Sequence, residues 1–263
     1  MSTQNRREIG KIKLGLKKAF RNKRIGVVRL EIKACLILDD RLVYIEWNSK
    51  GLFQHRADGS FIDTMTVKNE PFDLTPIDGN RVAVTYPFTN HFQIIDISVK
   101  EFQDIEFQKF CYGIKWYKER LYICVDGGGI LVATLNGEIE NKIPVDIQIS
   151  TRLDIEEDKI YYARTNINTI YCCDFSGNQL WTFSDEHYRM PLGIRLNGKG
   201  CLYITWYESN NVMVLSCDGK EHKELKGKTD GIEHPRCLYY DKQRDLLLVC
   251  NDFSDESLLF NVL

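Results

Sequence analysis

The hydrophobic positions of this chain fall into short runs separated by polar loops, and the runs recur on a nearly fixed beat. LVYIEW opens at Leu42, VAVTY at Val82, LYICV at Leu121, IYYAR at Ile160, LYITW at Leu202 and LLLVC at Leu246, at spacings of 40, 39, 39, 42 and 44 residues. A second series lies ahead of these: ACLILDDR from 34, PFDLTPID from 71, CYGIKWYK from 111, RLDIEEDK from 152, PLGIRLNG from 191 and PRCLYYDK from 235. A third follows each polar loop: LFQHRAD from 52, HFQIIDI from 91, ILVATLN from 130, TIYCCDFS from 169, NVMVLSCD from 211 and SLLFNVL from 257. Runs this short, rich in β-branched and aromatic residues and bounded by turn formers, predict strands. Asp58-Gly59, Asn136-Gly137, Ser176-Gly177 and Asp218-Gly219 suit the positive φ of tight hairpin turns. DISVKE lacks the glycine, which predicts a looser turn there.

A more polar segment such as SFIDTMTV or NQLWTFS follows each turn, as expected of a strand on a solvent-facing edge. A four-stranded unit recurring about every 40 residues is the signature of a β-propeller blade. The reading is an all-β, six-bladed propeller with blades at about 34–70, 71–110, 111–150, 151–190, 191–234 and 235–263. The sixth unit stops after its third strand. Residues 8–20, EIGKIKLGLKKAF, alternate Ile12, Leu14 and Leu16 with Lys11, Lys13 and Lys17, and predict the strand that closes the ring.

Charge adds one feature. The net charge of −2 resolves into +9 over residues 1–33 and −11 over the rest. A basic arm of this kind suits either a charged outer strand or an anionic partner, and the strand periodicity favours the former. No run approaches the roughly 18–20 apolar residues that span a bilayer, so no membrane partner is expected. The N-terminus, MSTQNRREIGKIK, has no apolar leader core. Nine cysteines without a CxxC pair read as buried thiols in a reducing, cytoplasmic compartment. Cys172 and Cys173, being adjacent, would point to opposite faces of one strand.

The stretches PFDLTPIDGNRVAVTYP, QIIDI, PLGIRLNGKGCLYITWYESNNVMVLSCDGK and HPRCLYYDKQRDLLLVCND resemble the C-terminal NHL-type propeller of tripartite-motif (TRIM) proteins, and invertebrate, molluscan TRIM-like proteins most closely. The resemblance covers about residues 34–263. It implies a non-catalytic, protein-recognition module, the partner-binding end of a ubiquitin-ligase-like protein. The RING finger, B-box and coiled coil of such a protein are not in this sequence, and no Cys/His cluster at zinc spacing stands in for them. The repeat is degenerate. Trp47, Pro87, Arg164 and Tyr207 stand near the place where an Asp commonly ends the second strand, whereas Asp126 and Asp252 keep it.

The expected binding face is made by the loops EWNSKG, YPFTNH, VDGGG, RTNINT, YESNN and NDFSDES. Their charges, Lys50 and Arg164 against Glu46, Asp126, Glu208, Asp252, Asp255 and Glu256, sum to −4, the wrong sign for phosphate contacts. RNA binding is therefore the alternative rather than the first reading. Aromatics in and beside these loops suit a protein or peptide partner. The expected contact residues are Trp47, Tyr86, Phe88, Arg164, Tyr188, Tyr207, Asn210 and Phe253. A metal-dependent hydrolase or lyase is the third reading, with His91, His187 and His234 as weak ligand candidates or Asp73, Asp126 and Asp154 as calcium-binding carboxylates. No spacing fixes either set, so no cofactor is expected. VDGGGI lacks the Lys-Ser/Thr of a phosphate loop and reads as a turn.

Overall fold

The structure is a computed structural model that describes residues 8–21, 30–107, 109–252 and 256–263. The apolar runs form six four-stranded antiparallel sheets. Their innermost strands are Ile32–Leu38, Asp73–Pro76, Cys111–Tyr117, Leu153–Glu156, Pro191–Leu196 and Pro235–Asp241. Each packs against the next and the sixth against the first, so the sheets are the blades of a six-bladed propeller. The first inner strand begins at Ile32, slightly ahead of the expected 34.

The core is divided by the seams between blades. Six hydrophobic clusters each join the facing sides of two neighbouring blades, as Leu36, Val43 and Leu52 join Leu74, Val84 and Ile95 between blades 1 and 2. A blade is therefore covered on both faces, which is why its inner strands read as continuous apolar runs rather than alternating ones. Cys172 and Cys173 illustrate the geometry: one joins the cluster toward blade 5, the other the cluster toward blade 3. None of the nine cysteines forms a disulfide, and eight are buried. Among the described residues no helix is long and apolar enough to cross a membrane.

Gly59, Gly137, Gly177 and Gly219 take the expected positive φ, between 75° and 85°. The DISVKE turn spans one residue more than three of the glycine turns: Asp96 pairs with Glu101, whereas the N–H groups of Arg56, Thr134 and Asp174 donate to the carbonyls of Ser60, Glu138 and Asn178. Lys100 takes φ 61°, its ammonium pairs with Asp63, and the Asp96 carboxylate accepts from the Ser98 and Val99 N–H groups at 2.9 and 3.3 Å. A lysine tied at its far end can hold the left-handed conformation that glycine adopts more freely.

The ring closes through the N-terminal segment. Strand Leu14–Arg21 pairs antiparallel with Glu256–Val262, with Leu14 opposite Val262. Lys13 and Leu263 then exchange both backbone hydrogen bonds, at 3.1 and 2.9 Å. The strand is shorter than the expected 8–20, because Ile9–Lys11 form a turn of 3-10 helix. Ile9, Ile12 and Leu14 are buried in the seam between blades 5 and 6, while Leu16 is 55% exposed. The register shifts between Leu16 and Lys18, a bulge of the kind that bends an edge strand. Replacing Ile12 or Leu14 by Ala should lower unfolding stability by about 2–4 kcal/mol in urea melts. Leu16→Ala should cost less than about 0.5 kcal/mol, and equal costs for all three would contradict this seating.

Candidate functional site

The loops joining second to third strands gather at one end of the ring axis, and the first of them is organised by a buried carboxylate. Glu46 ends its strand and accepts from the N–H groups of Glu31, Asn48 and Ser49 at 2.8, 3.2 and 2.6 Å, and from the Ser49 hydroxyl at 2.5 Å. These bonds fix the turn that carries Trp47. The Lys33 ammonium lies 4.7 Å from the centre of the Trp47 ring. Phe88, from the next blade, meets Trp47 edge-on at 5.9 Å and 82°. Phe88 is 68% exposed, so its ring stands clear of the surface on a rigid support.

Blades 5 and 6 contribute the other half of the site. Asp252 accepts from Arg236 Nη1 at 2.6 Å and from the Tyr207 hydroxyl at 3.3 Å, and the Tyr207 ring lies 4.9 Å from that of His234. Burial pushes the Asp252 carboxyl up, against the opposing pull of Arg236, and pushes the Tyr207 phenol up to about 12. Lys33 pairs with Glu31 at 2.8 Å, and burial together with the Arg236 charge pulls its ammonium down. Lys33 thus backs the Trp47–Phe88 pair and Arg236, through Asp252, the Tyr207–His234 pair, and the two cations lie close enough to repel each other. Neither cation was among the expected contact residues. Their signal was positional: Lys33, Arg152 and Arg236 each lie within the opening residues of an inner strand or beside it.

The remaining expected residues divide. Asn210, at φ 56°, accepts the His234 N–H at 2.8 Å through its side chain, and Asn168 does the same for the Met190 N–H at 2.7 Å. Lys50 occupies the corresponding turn position in blade 1 and pairs with Glu70 at 3.0 Å. Each partner immediately precedes a proline, Pro71, Pro191 or Pro235, that begins the following blade. Asn210 therefore ties the end of blade 5 to the start of blade 6. Tyr86 is wholly buried, with its hydroxyl donating to Gln93 and its ring stacked on His91 at 5.1 Å. It holds the repeat position of the buried Trp206, one residue before that of Trp47 and Tyr207, and one step along a strand reverses the face. Arg164 pairs with Asp146 at 2.9 Å and covers Tyr171 at 5.6 Å. Tyr188 is half-buried against Trp206 and His222, at 5.4 and 5.9 Å. Phe253 lies outside the described residues.

The three histidines are not brought together. His91 stacks on Tyr86, His187 pairs with Asp185 at 2.8 Å, and His234 lies on Tyr207. Burial pulls His91 down, whereas the Asp185 carboxylate holds the exposed His187 up. Among the described residues the only group of three side chains close enough to share a metal ion is Cys35, Cys237 and Cys250. Asp126 is exposed, and Asp73 and Asp154 lie inside the ring against cations that would oppose calcium.

Those cations hold the inner strands together. The Arg152 guanidinium donates to the carbonyls of Leu192, Lys33 and Phe72 at 3.5, 2.7 and 3.4 Å, spanning four blades. Asp73 Oδ1 lies 3.8 Å from both Arg152 Nε and Arg195 Nη2. Burial pushes the Asp73 carboxyl up despite those two guanidiniums. Asp154 behaves oppositely. Burial works to raise it, but Lys115, at 2.6 Å, and Arg195 outweigh that and hold it below the ordinary carboxylate range. Beyond this layer the far mouth opens as a cavity of about 420 Å³, lined among others by Lys115, Asp154, Arg195 and Tyr239. Opposite charges pair there, Arg244 with Asp241 at 3.4 Å and Lys242 with Glu156 at 3.3 Å.

No family model and no curated protein matches the chain. Solved structures do. A structural-genomics protein of unknown function from Bacteroides thetaiotaomicron is similar with a TM-score of 0.78 at 10% identity, over 96% of this chain and 76% of that one. A streptogramin B lyase structure is similar with a TM-score of 0.67 at 12% identity, over 96% of this chain and 98% of that one. At such identities the likeness is one of fold.

The axial charges give a pH signature. A carboxyl held low in the folded state contributes stability that is present above its unfolded pKa of about 4 and lost as pH falls through the lower folded value. Asp154→Asn should therefore cost about 3 kcal/mol at pH 7, since it leaves Lys115 and Arg195 poorly compensated. The deficit should narrow progressively below about pH 4, as followed by denaturant melts. A deficit independent of pH would refute the assignment.

Proposed function

We propose that this propeller is a non-catalytic recognition module of the TRIM-NHL kind, which docks a protein or peptide partner on the face carrying Trp47 and Phe88 as the partner-binding end of a ubiquitin-ligase-like protein. The observation that carries the reading is the posture of Phe88, an exposed aromatic ring propped on Trp47, whose own ring is backed by Lys33. A rigid aromatic pair beside paired charges has the character of an interface anchor, because it buries apolar area at little conformational cost. The charges around it are engaged with one another, Lys33 with Glu31 and Arg236 with Asp252, which suits a polar rim better than a catalytic centre.

RNA recognition is the second reading. Lys33 and Arg236 make the axial mouth less acidic than the loops by themselves, but both are paired with carboxylates, and Lys50 and Arg164 are paired as well. Phosphate contacts would have to displace those partners.

The test is affinity capture with the intact chain, followed by binding measurements with each captured protein after purification. Phe88→Ala should weaken the genuine partner by about 2 kcal/mol, roughly 30-fold in Kd, with the thermal midpoint unchanged. Retained binding by the Phe88→Ala and Trp47→Ala variants would remove this face from consideration. A salt-sensitive affinity for single-stranded RNA, lost in Lys33→Gln and Arg236→Gln, would favour the second reading.

A further inference from the structure

Cys35, Cys237 and Cys250 come from three strands, and their sulfurs all lie within 4.8 Å of one another. Cys237 and Cys250 are opposite each other in the ladder between the first two strands of blade 6, and Cys35 faces them from the inner strand of blade 1. All three are buried in the seam where the last blade meets the first. Among the described residues this is the only such grouping, although the other six cysteines are also mostly buried.

Ordinary core packing does not require the cluster. The strand position of Cys35 is filled in the other blades by Leu74, Ile114, Leu153, Ile194 and Leu238, all branched aliphatics. Only at the closing seam does a thiol replace them, and there it meets two more thiols. With metal–sulfur bonds of about 2.3 Å, three sulfurs around one ion stand about 4 Å apart, so the observed separations accommodate an ion with little movement. Ser257 donates its hydroxyl to Cys250 Sγ at 3.4 Å, which places an oxygen beside the cluster.

The electrostatic surroundings agree. The axial layer holds three cations, Arg152, Arg195 and Lys115, against two carboxylates, Asp73 and Asp154, which leaves one positive charge in excess. A divalent ion held by three thiolates carries one net negative charge, the counterpart of that excess, and buried charges persist only when so matched.

We propose that Cys35, Cys237 and Cys250 form a three-thiolate site for a thiophilic d10 metal ion, zinc(II) or copper(I), that staples blade 6 to blade 1. Loading releases three thiol protons and forms three metal–sulfur bonds, with no change in oxidation state. Soft thiolate ligands select these ions over magnesium or calcium. Because the site is assembled by folding, binding there adds to the stability of the closed ring.

The test uses the full chain, refolded without oxygen in the presence of zinc(II), cadmium(II) as its spectroscopic surrogate, or copper(I), then passed over a weak chelator. The expected result is one ion per chain, a thiolate-to-metal charge-transfer band, a higher thermal midpoint and three sulfurs around the ion by X-ray absorption. Preference between zinc and copper follows from direct competition. Single Ala substitutions at Cys35, Cys237 or Cys250 should weaken loading by roughly 100-fold, whereas Cys124→Ala and Cys173→Ala should load as the parent does. Circular dichroism identifies any variant that fails to fold, and the sulfur count on the unaltered chain does not depend on the variants. Failure of the parent to retain any of the three ions, or a bound ion without three sulfur neighbours, overturns the proposal.

Discussion

A ring of sheets that each bury both faces has no comfortable place to stop, and the pairing of Leu14–Arg21 with Glu256–Val262 resolves this. Without it, blade 6 would lack its outer strand, and Leu258 and Phe260 would lose part of their cover in the seam toward blade 5. The same seam takes Ile9, Ile12 and Leu14, so the closing segment acts both as a strand and as core. Further round, the alignment of blade 6 against blade 1 places Cys237 and Cys250 opposite Cys35, and sets Arg236 and Lys33 on the same mouth. Both the proposed metal site and the charged half of the recognition face therefore depend on closure.

Hydrophobic seams specify that blades pack but allow them to slide or tilt, since apolar contact has little directionality. Directional bonds remove that freedom. Arg152 reaches carbonyls on three other blades, Asp73 accepts the Ile114 N–H at 3.1 Å, and Asp154 accepts the Leu196 N–H at 2.8 Å. The rim has its own fastenings, in which Lys50, Asn168 and Asn210 each hold the residue before the next blade's proline. Buried charges are costly, and groups of this kind contribute chiefly by leaving a single acceptable arrangement.

The fold was legible because repetition multiplies a weak signal. One run such as LYITW is ambiguous, but six at nearly constant spacing, each with its partner runs and turns, leave few alternatives. The glycine turns followed the same logic, and the DISVKE turn, which lacks the glycine, closes over one residue more than three of them. The candidate site was less legible. Trp47 and Phe88 were anticipated separately, but their contact joins residues about one blade apart, and no local pattern announces it. Tyr86 was misread because it differs from Tyr207 by a single step along the strand, which decides between core and surface. Lys33 and Arg236 were hidden for a different reason. Each seemed an ordinary charge in sequence, and only the ring brings them together.

The exchange of hydrogen bonds between Lys13 and Leu263 has a mechanical meaning. The closing strand runs antiparallel to the strand it covers, with Leu14 beside Val262 and Arg21 beside Glu256. A force drawn between residues 13 and 263 would load the ladder one rung at a time from that end, peeling the strand like a zip rather than shearing all its bonds together. Anything tethered at both of these points would therefore meet the weakest direction of the ring. A pull between residues 21 and 263 would instead strain the full length of the closure at once. The molecule's resistance to tension is thus set by where it is held, although its contacts are the same in either case.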